Sequence, residues 1–552
     1  MEHKELIGKT HVRYEDFGAV GDGKTDDFTA LRSAHGYANE HGLRVQADPT
    51  KTYCLGSSSE PIIIMTDTDW SSAHFIVDDT EVPFEERGVD IFEVRSALAP
   101  IELKVPGIRK GQQRLDIKLS QNALAVAVND NKKQFIRKGL NQNSGFAQKD
   151  CFILDQSGCI LTPVIWDFEQ VTQLTAHPID ERTLRITGGE FTTIATQHWQ
   201  EKGYSYIKRG ICITRSNVIL DGLVHHVTGE PERGSPYAGF IRSSECAYIE
   251  INNCHFAGHK IYETIGAAGL PVMMGTYDIT LNTTVDVSFR NCRQDNIMDN
   301  TLWGVIGTNG CKDMRLDGCV FSRVDAHMNV TNLTVRNTVF GHQGFNAIGH
   351  GSLMVENVTI MGPAVVNLRS DYGSSWDGDL TLRNITWYPS ERVGNNPSVI
   401  VADNSGGHDF GYPCRCPRKV TIENLRVMDA QNGNSHECVS IFGGVEKCNE
   451  ELKSYDTPAA GDFPYIFSEQ LIASGLKTES GKGFKIWSGD PNGCYAAQPA
   501  CKTDDGQQLP NFRAALTDVD RFIDDASGQK MLPGAHRLVP DVRLSDCPKA
   551  KG

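Results

Sequence analysis

The chain has 552 residues, of which 39% are hydrophobic, and its formal net charge is −15. This charge argues against general nucleic-acid binding but is compatible with an acidic polysaccharide, since a local row of basic and amide side chains can bind a polyanion on an otherwise acidic surface. No apolar run of about 18 residues is present, so the sequence predicts no membrane-spanning segment.

The N-terminal residues Met1-Glu2-His3-Lys4 are too polar for a signal peptide, so export cannot be read from them. Sixteen cysteines are many for a cytosolic protein, and they indicate an oxidising compartment or an unusual core. We therefore expect a secreted or periplasmic protein whose signal peptide is not part of this chain.

An amphipathic helix is predicted after the segment DFGAVGDGKTDD, which occupies residues 16–27. Asp26 or Asp27 can cap the start of this helix, and Gly42 can end it. A helix in front of a solenoid would cover the open end of its core, so residues 1–56 are predicted to form a cap and first coil. The apolar stripe of the helix consists of Phe28, Leu31, Ala34 and Ala38.

Residues 57–180 show no clear repeat and are interpreted as early coils with insertions or as a side domain. Two cysteine pairs suggest local disulfides, Cys151 with Cys159 and Cys494 with Cys501. No CxxC pair occurs in the sequence, so we expect no structural zinc site.

One short phrase recurs over residues 181–450: an alternating hydrophobic strand, a polar or Gly doublet and another apolar residue. Intervals near 20 residues, with longer ones between them, are typical of a solenoid whose turns differ in loop length. Asn and Gly tolerate the positive φ of a tight turn, which explains the doublet. The second doublet residues are Gly189, Gly222, Asn253, Asn291, Gly318, Asn337, Asn357, Asn384 and Asn424.

The residue after the doublet is small or apolar in seven of these phrases, so it is predicted to point into the core and stack on its counterpart in the next coil. Three of these residues are cysteines, which we expect to be packed core residues rather than disulfides or ligands. The seven positions are Cys254, Cys292, Cys319, Thr338, Val358, Ile385 and Leu425.

The segment DFGAVGDGKTDD resembles the opening signature of the pectate-lyase-like β-helix superfamily, which includes polysaccharide lyases, polygalacturonase-type hydrolases and phage tailspikes. The resemblance implies an all-β fold, a single-stranded right-handed parallel β-helix with an N-terminal capping helix. Residues 451–552 would then form C-terminal coils and an irregular tail. In that superfamily the Gly-Asp-Gly turn and the Asp pair are structural, so the signature says little about the reaction.

Side chains at equivalent positions of successive coils form a line, so a groove can be predicted from the register. Nine or ten positions after the doublet lie His327, Asn346 and Asn367. We call these three residues and their polar neighbours the polar stripe, and we predict that it lines the active groove. The neighbours are Arg323, Asp325, His342, His350, Arg369 and Tyr372.

The polar stripe suits β-elimination on a uronic acid, which requires neutralisation of the carboxylate, removal of the adjacent proton and help for the leaving oxygen. Asn346 and Arg369 are predicted to bind the carboxylate. His327 or His350 would act as the base, and His350 or Tyr372 as the acid.

The remaining stripe residues are assigned to substrate binding, and Asp325 would also orient His327 or help to bind a cation. A basic extension of the groove is predicted at His259 and Lys260, and Lys260 is the alternative candidate for the catalytic base. Aromatic side chains can stack on sugar rings. The residues assigned to substrate binding are Arg323, Asp325, His342, Asn367, His259, Lys260, Trp303 and Trp376.

Residues 325–369 also resemble the polygalacturonase-type glycoside hydrolases, through Gly349-His350-Gly351 and through Asn367-Leu368-Arg369 at the place of an Arg-x-Lys. Where that family has two adjacent Asp residues, this chain has Asp325-Ala326. Where the family has an upstream Asn-x-Asp, this chain has Thr308-Asn309-Gly310. Inverting hydrolysis needs two carboxyl groups, so these departures favour a lyase. A hydrolase with carboxylates elsewhere and a non-catalytic glycan-binding or tailspike-like protein remain the alternatives.

The resemblance implies substrates that range from pectate and alginate to glycosaminoglycans such as chondroitin, dermatan and hyaluronan. The His- and Asn-rich stripe favours a glycosaminoglycan. Calcium, a common aid in β-helix lyases, is the one candidate cofactor, and neither a metal site nor an oligomeric state is predicted. The candidate oxygen ligands are Asp295, Asp299, Asp371, Asp377 and Asp379.

Overall fold

The structure is a computed structural model that describes residues 6, 8–56, 58–134, 146–198, 205–265, 271–369, 375–390, 397–402, 414–430, 436–443, 465–466, 468–487, 513–523 and 541–545. The chain divides into two compact units. The first comprises Met1–Asn129, Lys149–Arg315 and Cys319–Phe321, and the second comprises Asp130–Gln148, Leu316–Gly318 and Ser322–Gly552. No helix within the described ranges is long and apolar enough to cross a membrane.

The predicted N-terminal helix is confirmed at Phe28–His41, and the four residues of the predicted apolar stripe are buried. Gly42 ends the helix at a φ of 65°, and its N–H donates to the carbonyl of Ala38. The buried face also includes His35, whose Nε2 is 3.0 Å from the Tyr14 hydroxyl. Burial lowers the pKa of His35 to about 3, so this side chain is a neutral core residue.

The Asp pair before the helix has a structural role, as the resemblance implied. Asp26 accepts a hydrogen bond of 2.9 Å from the N–H of Phe28. Asp27 accepts the N–H groups of Val20 and Gly21 at 2.6 and 3.0 Å and thereby closes the preceding glycine-rich turn. Both carboxylates satisfy backbone donors that would otherwise need water.

The first unit consists of coils whose strands pair in parallel with the strand one coil further along. Ile186 pairs with Leu220, Leu220 with Ile251, and Ile251 with Phe289. All four side chains are buried, and they form a continuous apolar column. The parallel strands are His11–Arg13, Asp22–Asp26, Arg44–Gln46, Thr52–Leu55, Ile62–Ile64, Thr68–Asp78, Phe92–Val94, Leu184–Ile194, Ile211–Ile213, Val218–Asp221, Val224–Thr228, Ile241–Ser244, Ala247–Asn252, His255–Phe256, Ile279–Asn282, Val285–Arg290, Arg293–Gln294 and Ile306–Asn309.

An antiparallel sheet interrupts these coils within the segment where the sequence predicted insertions or a side domain. The buried Lys312 links this sheet to a coil, since its Nζ lies 2.7 Å from Asp150 and 2.6 Å from the carbonyl oxygen of Pro163. The strands of this antiparallel sheet are Ile101–Leu103, Ala123–Gln134, Phe146–Leu154 and Gln173–Pro178. Tyr262–Ile265 and Pro271–Met274 form a separate antiparallel pair. Two short 3₁₀ helices lie at Tyr14–Phe17 and Phe84–Gly88.

The second unit has the same construction, so the predicted right-handed parallel β-helix is confirmed as the architecture of both units. Leu353 pairs with Leu380, Leu380 with Val420, and Val420 with Leu471, all of them buried. The ladder therefore passes residue 450, beyond the point where the sequence phrase is visible. Its strands are Val330–Arg336, Val339–Asn346, Gly349–Ile360, Ala364–Asn367, Trp376–Trp387, Ser398–Val401, Lys419–Val427, Val439–Gly443, Gln470–Thr478, Phe484–Trp487, Arg513–Val519 and Asp541–Ser545, with a separate pair Cys414–Arg415 and Tyr465–Ile466. Four of the described strands have residues in both units: Ala123–Gln134 and Phe146–Leu154 of the antiparallel sheet, and Cys311–Asp317 and Val320–Asp325 of the parallel ladder.

The doublet asparagines form tight turns at positive φ, as predicted, with values of 50–59° at Asn337, Asn357, Asn384 and Asn424. In the second unit their side chains also form a ladder. The Nδ2 of Asn357 donates to Asn337 at 3.2 Å, that of Asn384 to Asn357 at 2.9 Å, and that of Asn424 to Asn384 at 3.0 Å. Gly475 occupies the next position of this ladder at a φ of 67°, so the same turn continues into the coils after residue 450.

Replacement of Asn357 by Ala should lower the stability of the second unit by about 1–3 kcal/mol, because Ala tolerates positive φ less readily than Asn does and two side-chain hydrogen bonds would be lost. The midpoint of urea unfolding measures this change. Asn357→Gly is the matched control: it loses the same hydrogen bonds but relieves the backbone, so its midpoint should lie between those of the parent and Asn357→Ala. Equal midpoints for all three proteins would contradict this account of the turn.

The stacked cysteines are confirmed as core residues. Cys254, Cys292 and Cys319 are free and no more than 1% exposed. The suggested bond between Cys151 and Cys159 is wrong: both are free, and the Sγ of Cys151 donates to the carbonyl of Gly310 at 3.5 Å instead. The reason is that Cys151 is buried within its strand, whereas Cys159 follows the turn and forms an antiparallel bridge with Arg114. The suggested pair Cys494 and Cys501 lies outside the described residues.

Candidate functional site

Two members of the polar stripe have the predicted register. Asn346 ends the strand Val339–Asn346, Asn367 ends the strand Ala364–Asn367, and the two residues pair directly in the second unit. Asn367 pairs in turn with Val401 of the following coil. The two amide side chains therefore share one line, as the count from the doublet predicted.

The third member of this line is Asp325 and not His327, which corrects the predicted alignment. The N–H of Ala326 donates to the carbonyl of Asn346 at 3.0 Å, and the N–H of Ala347 donates to that of Asn367 at 2.9 Å. These matching bonds place Asp325 on the same line as Asn346 and Asn367. The strand Val320–Asp325 has six residues, whereas Val339–Asn346 has eight. Counting nine positions from the doublet therefore reaches His327, two residues beyond the aligned Asp325.

His327 nevertheless lies on the same corner of the coils as Arg369. Each of the two residues stands two positions after a member of the line, His327 after Asp325 and Arg369 after Asn367. One coil lies between them, so they are separated by about 10 Å along the stack at the usual strand spacing. His327 is half-buried in the turn that follows its strand.

Asp325 joins two arginines. Its Oδ2 accepts hydrogen bonds of 2.6 Å from Arg323 and of 2.6 Å from Arg369. The carboxylate is fully buried, while the two arginine side chains retain 10% and 12% exposure. We call these three residues the Arg–Asp–Arg cluster. Two guanidinium groups against one carboxylate give the cluster a net charge of +1.

The Asn346 carboxamide lies between this cluster and Asn367. One of its polar atoms is 2.9 Å from Nε and 3.2 Å from Nη2 of Arg323, and the other is 2.8 Å from the amide of Asn367. Because a guanidinium can only donate, the atom that faces Arg323 is the amide oxygen. The amide nitrogen of Asn346 therefore faces Asn367.

Arg369 has a strained backbone, with a φ of 35°. The left-handed region costs a residue with a Cβ about 1–2 kcal/mol, so surrounding contacts must hold the conformation. The ion pair with Asp325 is such a contact. Strain of this kind concentrates at functional sites, because it fixes a side chain in a direction that relaxed backbone would not give.

The predicted histidines of the stripe differ in exposure and position. His350 pairs with Thr331 and with Asp377 on the neighbouring ladder, and its Nδ1 lies 3.8 Å from the Asp377 carboxylate. Its side chain is 12% exposed, whereas His342 is 6% exposed overall. Tyr372, the other predicted acid, lies outside the described residues.

The glycine before His350 is explained by backbone packing. A Cβ at Gly349 would lie 1.9 Å from the carbonyl oxygen of Val330, which is far inside contact distance. Gly351 has a φ of 77°. The Gly-His-Gly motif therefore allows two coils to approach each other, whatever the role of His350.

The predicted basic extension lies in the first unit, and His259 does not fit a groove. It is 2% exposed, with Nδ1 2.8 Å from Glu230 and Nε2 3.0 Å from Asp278. Burial alone would lower its pKa, but the two carboxylates outweigh burial and raise the pKa to about 10. Lys260 is more exposed, and its Nζ pairs with Glu232. Direct sugar contact by His259 is therefore ruled out in this conformation.

Trp376 also does not fit its predicted stacking role, because it is fully buried and its Nε1 donates to the carbonyl of Gly351 at 3.0 Å. It starts a core strand, and an aromatic residue at that position packs inward. Trp303, in the first unit, is half-buried with its ring 5.9 Å from that of Tyr277.

The four described carboxylates that were considered for calcium do not converge. Asp295 pairs with His255 at 3.1 Å, Asp299 accepts hydrogen bonds from Thr301, Asp377 faces His350 and Asp379 pairs with Arg418. Calcium needs six to eight oxygen ligands at about 2.3–2.6 Å, which these separate contacts do not provide. The fifth, Asp371, lies outside the described residues.

No protein-family model matches the chain. A segment of 154 residues is 28% identical to a capsule KL64-specific depolymerase of Klebsiella phage P510, and the match covers 25% of this chain but only 15% of that protein.

The chain is similar in structure to the tailspike gp49 of Pseudomonas phage LKA1, with a TM-score of 0.49 and 11% identity over 97% of this chain and 84% of that one. It is also similar to the Gp54 tailspike of Acinetobacter baumannii bacteriophage AP22, whose structure contains a capsular saccharide, with a TM-score of 0.49 and 7% identity over 97% and 79% of the chains. For a family 28 exopolygalacturonase of Yersinia enterocolitica the TM-score is 0.36, with 11% identity over 98% and 77% of the chains. These likenesses carry no argument about the reaction.

Proposed function

We propose that this protein degrades a uronic-acid-containing polysaccharide by β-elimination at the Arg–Asp–Arg cluster. The observation that carries the proposal is the placement of Arg323 and Arg369 around one buried carboxylate, Asp325, beside the line of Asn346 and Asn367. The 154-residue likeness to a capsule depolymerase favours a bacterial capsular polysaccharide as the polymer and a place of action outside the cytoplasm.

The cluster suits recognition of a sugar carboxylate. Each guanidinium carries five N–H donors in a planar fork, and this shape matches a carboxylate. The net charge of +1 favours an anion, and arginine binds carboxylates in a bidentate geometry. Binding of the uronate carboxylate to two arginines would stabilise the negative charge that develops when the neighbouring proton leaves.

The same geometry disfavours hydrolysis through Asp325. A general base must reach a water molecule, yet Asp325 is fully buried and held by two arginines. Proton transfer is assigned instead to His327, on the corner it shares with Arg369, or to His350 beside Asp377. Histidine is suited to this role because it exchanges a proton near neutral pH.

Incubation of the full chain with uronate polymers should produce unsaturated sugars that absorb in the ultraviolet, because elimination creates a double bond and hydrolysis does not. The panel is pectate, alginate, chondroitin, dermatan, hyaluronan and uronate-containing capsular polysaccharides. Activity should persist in EDTA, since arginines rather than calcium are assigned to the carboxylate.

New reducing ends without ultraviolet absorbance would show that the protein is a hydrolase and not a lyase. Tight binding without cleavage would show that it is a non-catalytic glycan-binding protein. Loss of activity in EDTA that Ca²⁺ restores would reassign carboxylate neutralisation to the cation. His327→Ala and His350→Ala test the proton transfer: one of the two should lower turnover by about 100-fold or more. Unchanged turnover in both variants would remove these residues from the mechanism.

A further inference from the structure

A second polar cluster lies in the core of the first unit and includes His259, which the proposed function does not use. Nδ1 of His225 is 2.8 and 2.9 Å from the two carboxylate oxygens of Asp278, and Nε2 of His259 is 3.0 Å from Oδ1 of the same residue. The ligand-type atoms of these three residues all lie within 4.8 Å of one another, and each residue is at most 3% exposed. No other such group of three occurs in the described part of the chain.

The other nitrogen of each imidazole faces an oxygen. Nε2 of His225 is 3.0 Å from the Thr193 hydroxyl, and Nδ1 of His259 is 2.8 Å from Glu230. Histidines that bind metal ions commonly donate their second N–H to an oxygen in this way, which fixes the ring and its tautomer. The two rings come from different coils. Each points one nitrogen at Asp278, and its other nitrogen is held by the oxygen of Thr193 or Glu230.

The charges of the cluster also favour a dication. Glu230 and Asp278 bring two negative charges into a region where the side chains of both are at most 10% exposed. Without a metal ion, both nitrogens of His259 must carry a proton, because each faces a carboxylate. With His225 neutral, the net charge of the two histidines and two carboxylates is then −1. A divalent cation with two neutral imidazoles and the two carboxylates gives zero, which is the less costly state in a core.

We propose that His225, His259 and Asp278 form a binding site for a divalent transition metal such as Zn²⁺, with Glu230 and Thr193 orienting the two imidazoles. Two imidazoles and a carboxylate match the ligand preference of Zn²⁺, at about 2.0–2.2 Å per bond. In a tetrahedral site neighbouring ligand atoms are then about 3.3 Å apart, so the observed His–Asp contacts of 2.8–3.0 Å need to open by a few tenths of an ångström. The two ring nitrogens that would bind the ion lie within 4.8 Å of each other. The second oxygen of Asp278 or a water molecule completes the coordination.

The burial of the site assigns it a structural role. His225 stacks on Phe240 with ring centroids 4.0 Å apart, and Asp278 has no exposed surface, so a sugar cannot approach the ion. Asp278 also accepts the N–H of Ala257 at 2.8 Å. A bound metal would join three coils of the first unit and stabilise the folded state in proportion to its affinity. The sequence analysis considered cysteines as zinc ligands and other aspartates as calcium ligands, and its expectation of no structural zinc site therefore missed this histidine and aspartate set.

The full chain, stripped of metal and then freed of chelator, is titrated with Co²⁺, whose visible d–d absorption reports tetrahedral coordination by nitrogen and oxygen. We expect one Co²⁺ per chain, displacement of the band by Zn²⁺, and one zinc per chain by elemental analysis after Zn²⁺ loading. Asp278→Asn should abolish the band, and Glu230→Gln should weaken binding by about 10- to 100-fold. His226→Ala is the control: it changes the neighbouring, 44% exposed histidine and should leave binding unchanged.

A folded parent chain that gives no cobalt band and binds no stoichiometric zinc overturns the proposal and leaves a hydrogen-bonded imidazolium between two carboxylates. Binding that survives in folded Asp278→Asn with unchanged affinity overturns it as well. If Asp278→Asn does not fold, the titrations of the parent chain and of Glu230→Gln decide. Circular dichroism of every variant separates loss of a ligand from loss of the fold.

Discussion

Replacement of Arg369 by Gln should lower kcat/KM on the uronate polymer by about 100- to 1,000-fold, the usual effect of removing one donor that stabilises transition-state charge. The expected cause is loss of a guanidinium from the carboxylate-binding cluster, while Asp325 keeps its partner Arg323. Initial rates from ultraviolet absorbance measure the change. Arg369→Lys should recover little activity, because an ammonium group cannot form the bidentate fork.

The matched control is Arg418→Gln, which removes an arginine from a surface ion pair with Asp379 in the same unit. Arg418 is 59% exposed, and its loss should change neither the rate nor the unfolding midpoint noticeably. Full activity of folded Arg369→Gln would move the active site away from the Arg–Asp–Arg cluster.

Replacement of Asp325 by Ala should have the largest effect on stability, about 3–5 kcal/mol. The change removes the carboxylate that the largely buried guanidinium groups of Arg323 and Arg369 share, and loss of a partner costs a buried charge far more than a surface pair contributes. Activity should fall as well, since both guanidinium groups lose the carboxylate that positions them. Urea unfolding followed by tryptophan fluorescence measures the stability.

Asp379→Ala is the control for this second change, because Asp379 is 46% exposed and pairs with a surface arginine. Its midpoint should stay within about 0.5 kcal/mol of the parent. An Asp325→Ala variant as stable as the parent would mean that the two arginines do not depend on the carboxylate, and their assigned geometry would then be wrong.

The prediction of the fold succeeded where a residue type has a local physical reason to recur. Asn at positive φ and a small side chain directly after it are set by the steric limits of one turn, and that turn repeats in successive coils of the described residues. The same holds for the capping helix, whose end at Gly42 follows from the freedom of glycine alone.

The candidate site was only partly predictable, because it depends on how many residues separate the turn from the line in each coil. Asn346 and Asn367 were aligned correctly, but a strand two residues shorter brought Asp325 to the line in place of His327. Trp376 was assigned to the sugar although the inward face of its strand buries it.

The sequence by itself therefore determined the coil, its turns, its capping helix and the burial of the stacked cysteines, since short-range sterics and hydrophobicity act on neighbours in the chain. Only the tertiary structure decided which charges meet. Arg323 and Arg369 share Asp325, and His225 and His259 share Asp278, although these partners are up to 53 residues apart. Their meeting depends on hydrogen-bond register between coils, which loop lengths set and which no local pattern records.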